Sequence, residues 1–186
     1  MSIVGLHGKR ERQENDFYAT DPKTTKLMLE KIKFKGSILE PNCGEGHISE
    51  VLKKIGYDVY STDLINRGYG EETGIDFLTH DYGKKFDNVV MNPPFKDIEL
   101  FIKKALSVSN DKVVVFARLQ LLESAKRKGM FENTPISRVL VHSERQCAWK
   151  NGSPVDELGK KWASTQAYAW FVWEHDYNGS PTIEWI

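Results

Sequence analysis

The chain has 186 residues, of which 40% are hydrophobic and 28% charged, enough for one domain with a sizeable core. That composition excludes a disordered chain, and no apolar run approaches the length of a bilayer span. The 26 basic residues equal the 26 acidic ones, so contact with a polyanion would have to come from local patches rather than a general basic coat.

Three such patches stand out: Lys9, Arg10 and Arg12; the run Lys126 to Lys128; and Lys150 with Lys160 and Lys161. Most short charge clusters of this kind are solvated surface, and each reads more readily so. The N-terminus, "MSIVGLHGKRERQE", lacks the long apolar segment of a signal peptide, so a cytoplasmic protein without membrane contact is expected. Cys43 and Cys147 are too few for a disulfide framework or a metal cluster, and are expected to be reduced. No metal is expected: His47 and His142 lack a spaced set of partner ligands and read as structural.

After a polar arm, "DPKTTKLMLEKI" predicts a helix, with Asp21 as its cap and Pro22 at its first position. "SILE" is a short strand running into "PNCGEG". From Ile48, apolar residues recur at Val51, Leu52 and Ile55, a helical spacing. "YDVYSTD" and "NVVM" follow as strands. Ile98, Phe101, Ile102, Ala105 and Leu106 then mark another amphipathic helix, and "KVVVFA" a buried strand. "LQLLESAKRKGMF" reads as one helix, and "RVLVH" and "AYAWFVW" as two closing strands, on which Trp170 and Trp173 suit packing.

Strands alternating with helices imply an α/β domain: a mainly parallel sheet with helices on both faces, spanning residues 1–186 without a boundary. Ligands in such folds sit beyond the carboxyl ends of the strands. "LEPNCGEG", "STD" and "MNPPF" all fall at such ends and should share one rim. The segment 143–164 reads as a long polar loop of the kind that is functional or disordered, with Trp149 and Trp162 among lysines and glycines.

On that rim, Gly44 and Gly46 allow close backbone approach to a ligand. "GEGHIS" alone also fits a plain strand-to-helix connection, and Ser49 replaces the last glycine of the dinucleotide fingerprint. Glu40 beside the turn suits a positively charged ligand better than a pyrophosphate. Asp63 sits where an acid can accept from ribose hydroxyls. An adenosine with a cationic tail, as in S-adenosylmethionine, fits both carboxylates. Asp76 in "GIDFLTHD", flanked by Ile75 and Phe77, suits an adenine amino group, and equally suits a loop cap.

"NVVMNPPF" ends a strand on an amide, two prolines and a ring. An aromatic amine is a poor nucleophile because its lone pair is delocalised. Two acceptors that take its N–H bonds draw the nitrogen towards a tetrahedral geometry; Asn92 Oδ1 and the Pro93 carbonyl are two such acceptors. Pro94 fixes the backbone and Phe95 offers a stacking face. Methylation at a pyrimidine carbon needs a cysteine nucleophile commonly presented after proline, and "PNC" breaks that adjacency.

"FYATDP", "ILEPNCGEG", "TD", "GIDF" and "NPPF" resemble, in order and spacing, the class I S-adenosylmethionine-dependent amino-methyltransferases, and more narrowly the small phage and prophage N6-adenine DNA methyltransferases. The resemblance covers nearly the whole chain, "ARLQLLES" and the Trp-rich strand included. It implies a Rossmann-like fold with a seven-stranded sheet, S-adenosylmethionine as cofactor, and methyl transfer to an exocyclic amine. The acceptor it implies is N6 of adenine in DNA, with an RNA base, a protein glutamine or an inactive cofactor-binding module as alternatives. It assigns Phe17, Tyr18, Thr20 and Pro22 to the methionine end of the cofactor. The expected cofactor set is completed by Glu40, Asn42, Gly44, Gly46, Asp63, Leu64, Asp76, Phe77 and Asn92. Asn92, Pro93, Pro94 and Phe95 are the expected catalytic corner, and Phe95, Arg145 and Trp149 the expected substrate contacts, the last two fitting ordinary loop residues as well. A separate target-recognition domain is not expected. Specificity would then come from 143–164, from a protein partner or homodimer, or be low. A base inside a duplex would have to be flipped out, at roughly a few kcal/mol.

Overall fold

A computed structural model describes residues 17–162 and 166–186. The basic patch at Lys9, Arg10 and Arg12, and the end of the 143–164 segment, lie outside the described residues. In chain order the elements are β1 (Tyr18–Ala19), α1 (Pro22–Lys31), β2 (Ser37–Glu40), α2 (His47–Lys54), β3 (Asp58–Asp63), β4 (Glu72–Thr73) and β5 (Phe86–Met91). There follow α3 (Ile98–Val108), β6 (Ser109–Arg118), α4 (Ala125–Glu132), β7 (Ile136–Val141), β8 (Trp149–Lys150), β9 (Tyr168–Glu174) and β10 (Thr182–Trp185).

The local chemistry sets these boundaries. Asp21 caps α1 by accepting from the Lys23 amide at 2.8 Å, ahead of Pro22 in the first turn. Gly46 opens α2 at φ 85°, and Ile48, Val51 and Leu52 form its buried stripe. Ile55 falls just past the end of α2 and is 58% exposed, so it is not part of that stripe. The single helix expected over "LQLLESAKRKGMF" is two pieces: a 3-10 turn at Leu119–Leu122, then α4. Ser124 is the reason. Its hydroxyl accepts from the Lys126 amide at 3.2 Å, which starts a new helix instead of continuing the old one.

The main sheet has eight strands in the order β10-β7-β9-β6-β5-β2-β3-β4, one more than the seven expected. Two of its strands match none of the stretches read as strands in the sequence: β4, and the edge strand β10, parallel to β7 from Thr182↔Arg138 to Trp185↔Val141. Ile183 and Trp185 on β10 are 55% and 67% exposed, so it carries little of the burial pattern that marks a strand in sequence. β9 runs antiparallel to β6 and β7, while the other pairs are parallel.

Alternation along the strands splits the core in two. On one face Ile38, Val90, Val114, Phe116 and Trp170 meet Met28 of α1, Ile32 just past its end, and Ile48 and Leu52 of α2. On the other, Leu39, Val89, Met91, Val113 and Trp173 meet Phe101 and Ile102 of α3. Trp170 and Trp173 are fully buried on opposite faces. Their indole N–H groups donate to the Thr24 carbonyl at 3.2 Å and to Thr134 Oγ1 at 2.9 Å. No helix among the described residues is long and apolar enough to cross a membrane.

The 143–164 segment is more ordered than a plain loop. β8 pairs antiparallel with β1 through Tyr18↔Lys150 and Ala19↔Trp149. Beyond it, a Val155–Lys161 bridge closes a hairpin in which Trp162 Nε1 donates to the Ser153 carbonyl at 2.8 Å.

Candidate active site

Strand register assembles the site. Asp63↔Thr73, Glu40↔Ser61, Leu39↔Val89 and Met91↔Val115 align the carboxyl ends of β4, β3, β2, β5 and β6. Asp63, Glu40, Asn92 and Arg118 therefore follow one another along one rim, the place where parallel sheets collect ligands.

The glycine turn sits at the centre of that rim. Gly44 and Gly46 take φ 55° and 85°, and the Gly44 amide donates to Asp63 Oδ2 at 2.8 Å. Asp63 Oδ1 accepts from the Ile65 amide, also at 2.8 Å, so one carboxylate links the turn to the end of β3. A Cβ on Gly44 would come within 2.2 Å of the Phe17 ring, and one on Gly46 within 2.5 Å of the Tyr69 ring. Only glycine lets these rings lie on the turn. The Arg67 guanidinium stands 4.5 Å from the centroid of Phe17, and Tyr69 donates to Glu50 Oε1 at 2.7 Å.

Glu40 is 1% exposed, and burial pushes its carboxyl up to about 8. Ser49 Oγ donates to it and lies 2.6 Å from Ser61 Oγ. The serine that stands in place of the last fingerprint glycine thus bonds the buried acid of the turn. Asn42 Oδ1 and His47 Nδ1, in the same turn, are buried without a hydrogen-bond partner. A buried carboxyl, an unpartnered amide oxygen and a positive-φ glycine cradle together fit a ligand that brings donors and positive charge. Cys43 is 3% exposed and its thiol is pushed up to about 12 by burial, so it stays protonated and is no nucleophile.

Asp76 caps its own turn: Oδ1 accepts from the Leu78 amide at 3.0 Å, and its carbonyl from His80 at 2.8 Å. The turn joins the rim through the Ile75 amide, which donates to the Asp63 carbonyl at 3.1 Å. Phe77 is 2% exposed and stacks on Phe101 at 5.6 Å, so its ring belongs to the core beneath the turn. Leu64, 51% exposed beside Asp63, leaves an apolar side chain uncovered at the rim.

At the end of β5, Asn92 Nδ2 donates to the Tyr18 carbonyl at 2.8 Å and to Thr20 Oγ1 at 3.0 Å. The carbonyl accepts only, so the amide nitrogen must face it and Oδ1 keeps its lone pairs for another donor. Pro93 is buried and Pro94 exposed. The Arg118 guanidinium lies 4.5 Å from the centroid of Phe95, and Tyr168 tilts towards that ring at 6.3 Å.

Pro22 begins α1 just beyond Thr20. Trp149 packs edge-on to His47 at 5.6 Å, which puts it by the glycine turn. The Asn151 amide donates to the Phe17 carbonyl at 2.9 Å, fastening the same segments together. Arg145 lies on the exposed stretch leading to β8. Sequence reasoning gave no role to Ser61, Arg67, Tyr69 or Arg118. The last fell within the "ARLQLLES" stretch of the resemblance, as a cation following a buried strand, at the same kind of strand end as Asn92.

No family model and no curated protein matches the sequence. Solved structures do match its fold. A modification subunit assigned to a type I restriction enzyme of Vibrio vulnificus YJ016 aligns over 94% of this chain at 13% identity, with a TM-score of 0.58. The match spans 48% of that subunit, about half its length. A SAM-dependent O-methyltransferase of Thermotoga maritima aligns over 88% of this chain and 69% of its own, at 17% identity and a TM-score of 0.59. Magnesium protoporphyrin IX methyltransferase of Synechocystis PCC 6803, solved with bound SAM, aligns over 83% and 79%, at 12% identity and a TM-score of 0.57. The chain has the Rossmann-like α/β fold that these methyltransferases share.

Proposed function

We propose that the chain is an N-methyltransferase that uses S-adenosylmethionine and methylates an exocyclic amine, the acceptor being N6 of adenine in DNA. The observation that carries this reading is the pair of bonds holding Asn92. With both Nδ2 hydrogens committed to Tyr18 and Thr20, Oδ1 is left as an acceptor next to the Pro93 carbonyl. Two fixed acceptors and no base suit an amine that has two hydrogens and a poorly available lone pair. The protonated Cys43 thiol speaks against carbon methylation.

The glycine turn, Asn42 and Glu40 would hold the methionine end of the cofactor, and Asp63 its ribose. When bound, the cofactor supplies an electrophilic methyl on a cationic sulfur. The chain's own residues position the amine: Asn92 and Pro93 take its N–H bonds, Pro94 keeps that turn rigid, and Phe95 supplies an apolar face for a base. As the nitrogen–carbon bond formed, the bond from the methyl to sulfur would break and leave a neutral thioether; the methylated nitrogen, then cationic and acidic, would pass its proton to water, so no side chain is required as a strong base.

The test is to incubate the protein with methyl-labelled cofactor and unmethylated DNA, RNA or protein, then digest to monomers. Labelled N6-methyladenine from DNA is the expected product. Label in RNA or in glutamine would overturn the acceptor while keeping the chemistry, and cofactor binding without transfer to any polymer would overturn the enzyme.

A further inference from the structure

At the end of β6 lies a cavity of about 340 Å³ that borders the site above through Phe95 and extends past it to Arg118, Gln120 and Arg127, to which that site gives no role. Phe95, Ile98 and Leu121 are among its apolar lining residues, and Arg118, Gln120 and Arg127 among its polar ones. A lining that combines apolar side chains with cations and an amide matches a nucleotide, which combines a flat base with an anionic linkage.

Arg118 is the most informative member. Its guanidinium covers the Phe95 ring, yet its Nε is buried and has no hydrogen-bond partner. A buried donor is stable only when something accepts from it, and a cation–π contact leaves Nε–H unsatisfied. Arg127, by contrast, is committed: Nε donates to Glu99 Oε1 at 3.2 Å and an Nη donates to the Gln120 carbonyl at 3.3 Å.

The surroundings favour an anion. Exposed Glu123 also borders the cavity, but Lys126, Arg127 and Lys128 follow it at the start of α4. That is the wrong end of a helix for basic residues, since the macrodipole there is already positive. α4 packs on the core through Met130 and Phe131 in its second half, not through these basic residues at its start.

We propose that this cavity holds the nucleotide next to the reacting one on the same DNA strand, with Arg118 Nε as the donor to its phosphodiester and Gln120 at the edge of its base. Arg118 then has two contacts. It backs the ring expected to stack on the target base, and it fixes the strand one linkage away. The proposal rests on the amine-methyltransferase reading.

The experiment measures anisotropy of a labelled single-stranded oligodeoxynucleotide with one adenine, in two forms: all phosphates charged, or a neutral methylphosphonate on either side of that adenine. The expected result is that one of the two neutral linkages weakens binding to the parent protein about tenfold, and weakens Arg118→Met no further. Arg118→Met should itself lose about tenfold, with a salt slope shallower by about one. Arg118→Lys, which keeps the charge but lacks Nε, should fall between the two. Cofactor affinity by calorimetry reports on folding, and the methylphosphonate arm on the parent protein stands even if a variant does not fold. Parent binding that ignores both neutral linkages, or Arg118→Met binding with the parent's affinity and salt slope, overturns the proposal and leaves the methyltransferase reading intact. A parent that binds no oligonucleotide overturns the proposal together with DNA as the acceptor, while the labelled-methyl assay still decides the chemistry.

Discussion

Asn92 donates its side-chain amide to the Tyr18 carbonyl at 2.8 Å, across seventy-four residues of sequence. The bond joins the "NPPF" corner after β5 to β1, which is itself held by β8. The orientation of Asn92 therefore depends on two segments remote in sequence, the start of the described chain and the stretch around Trp149. Asn92→Ala removes both the acceptor and the anchor. Methyl transfer should fall by on the order of 10²–10³, with cofactor affinity nearly unchanged. Asn92→Asp should be nearly as damaging, because a carboxylate cannot donate to the Tyr18 carbonyl. Single-turnover kinetics with calorimetry separate the two quantities. A variant that keeps its turnover would show that the amide does not orient the amine.

Glu40 supplies the second prediction. Burial raises its carboxyl from the ordinary 4.5 to about 8, so without ligand it is neutral at pH 7. Between 4.5 and 8 the folded protein holds a proton that the unfolded chain does not. This contribution to stability is complete below 4.5 and is lost as pH rises through 8. A cationic ligand reverses the preference and draws the proton off. Cofactor affinity should therefore rise by up to about tenfold per pH unit below 8 and level off above it, with about one proton released on binding. Calorimetry in buffers of different ionisation enthalpy measures that proton. Glu40→Gln should bind more weakly and lose the pH dependence.

Much of this was legible in sequence. The helix at Asp21–Pro22, the glycine turn and the strand ending in "NPPF" each carry a local signal: a cap, a positive-φ residue, a proline stop. What was not legible depends on contacts between distant segments. Phe77 lies in an apolar pair, Phe77–Leu78, and nothing local distinguishes a ring turned to the core from one turned to a ligand. β10 is an exposed edge strand, and β8 has only two residues, so both lack periodicity. Arg118 acquires meaning only through register, because Met91↔Val115 brings it beside Phe95.

Gly44 tests the cradle. An alanine there would carry φ 55° and place its Cβ within 2.2 Å of the Phe17 ring. The backbone part costs about 1–2 kcal/mol for an L-residue, and displacement of Phe17 adds to it. Gly44→Ala should lower the thermal midpoint and weaken cofactor binding together. Adding Phe17→Ala should return the steric part but not the backbone part, so the two changes should be non-additive. Strict additivity in thermal melts would mean that the ring does not rest on the turn.

His142, just past the carboxyl end of β7, gives a prediction that needs no ligand. Both of its ring nitrogens are buried without partners, 6.1 Å from Phe116, and burial with the nearby Lys23 cation lowers it from 6.5 to about 4. The folded protein holds fewer protons than the unfolded chain between those values. Stability from this group is thus present above 6.5 and lost as pH falls towards 4. Glu144 pairs with Lys23 at 2.6 Å on the exposed surface, so part of the repulsion is screened and the effect is moderate. His142→Leu removes a group that must ionise on unfolding in acid. The thermal midpoint of the variant relative to the parent should therefore be higher at pH 5 than at pH 8. An equal difference at both pH values would mean that His142 titrates normally in the folded state.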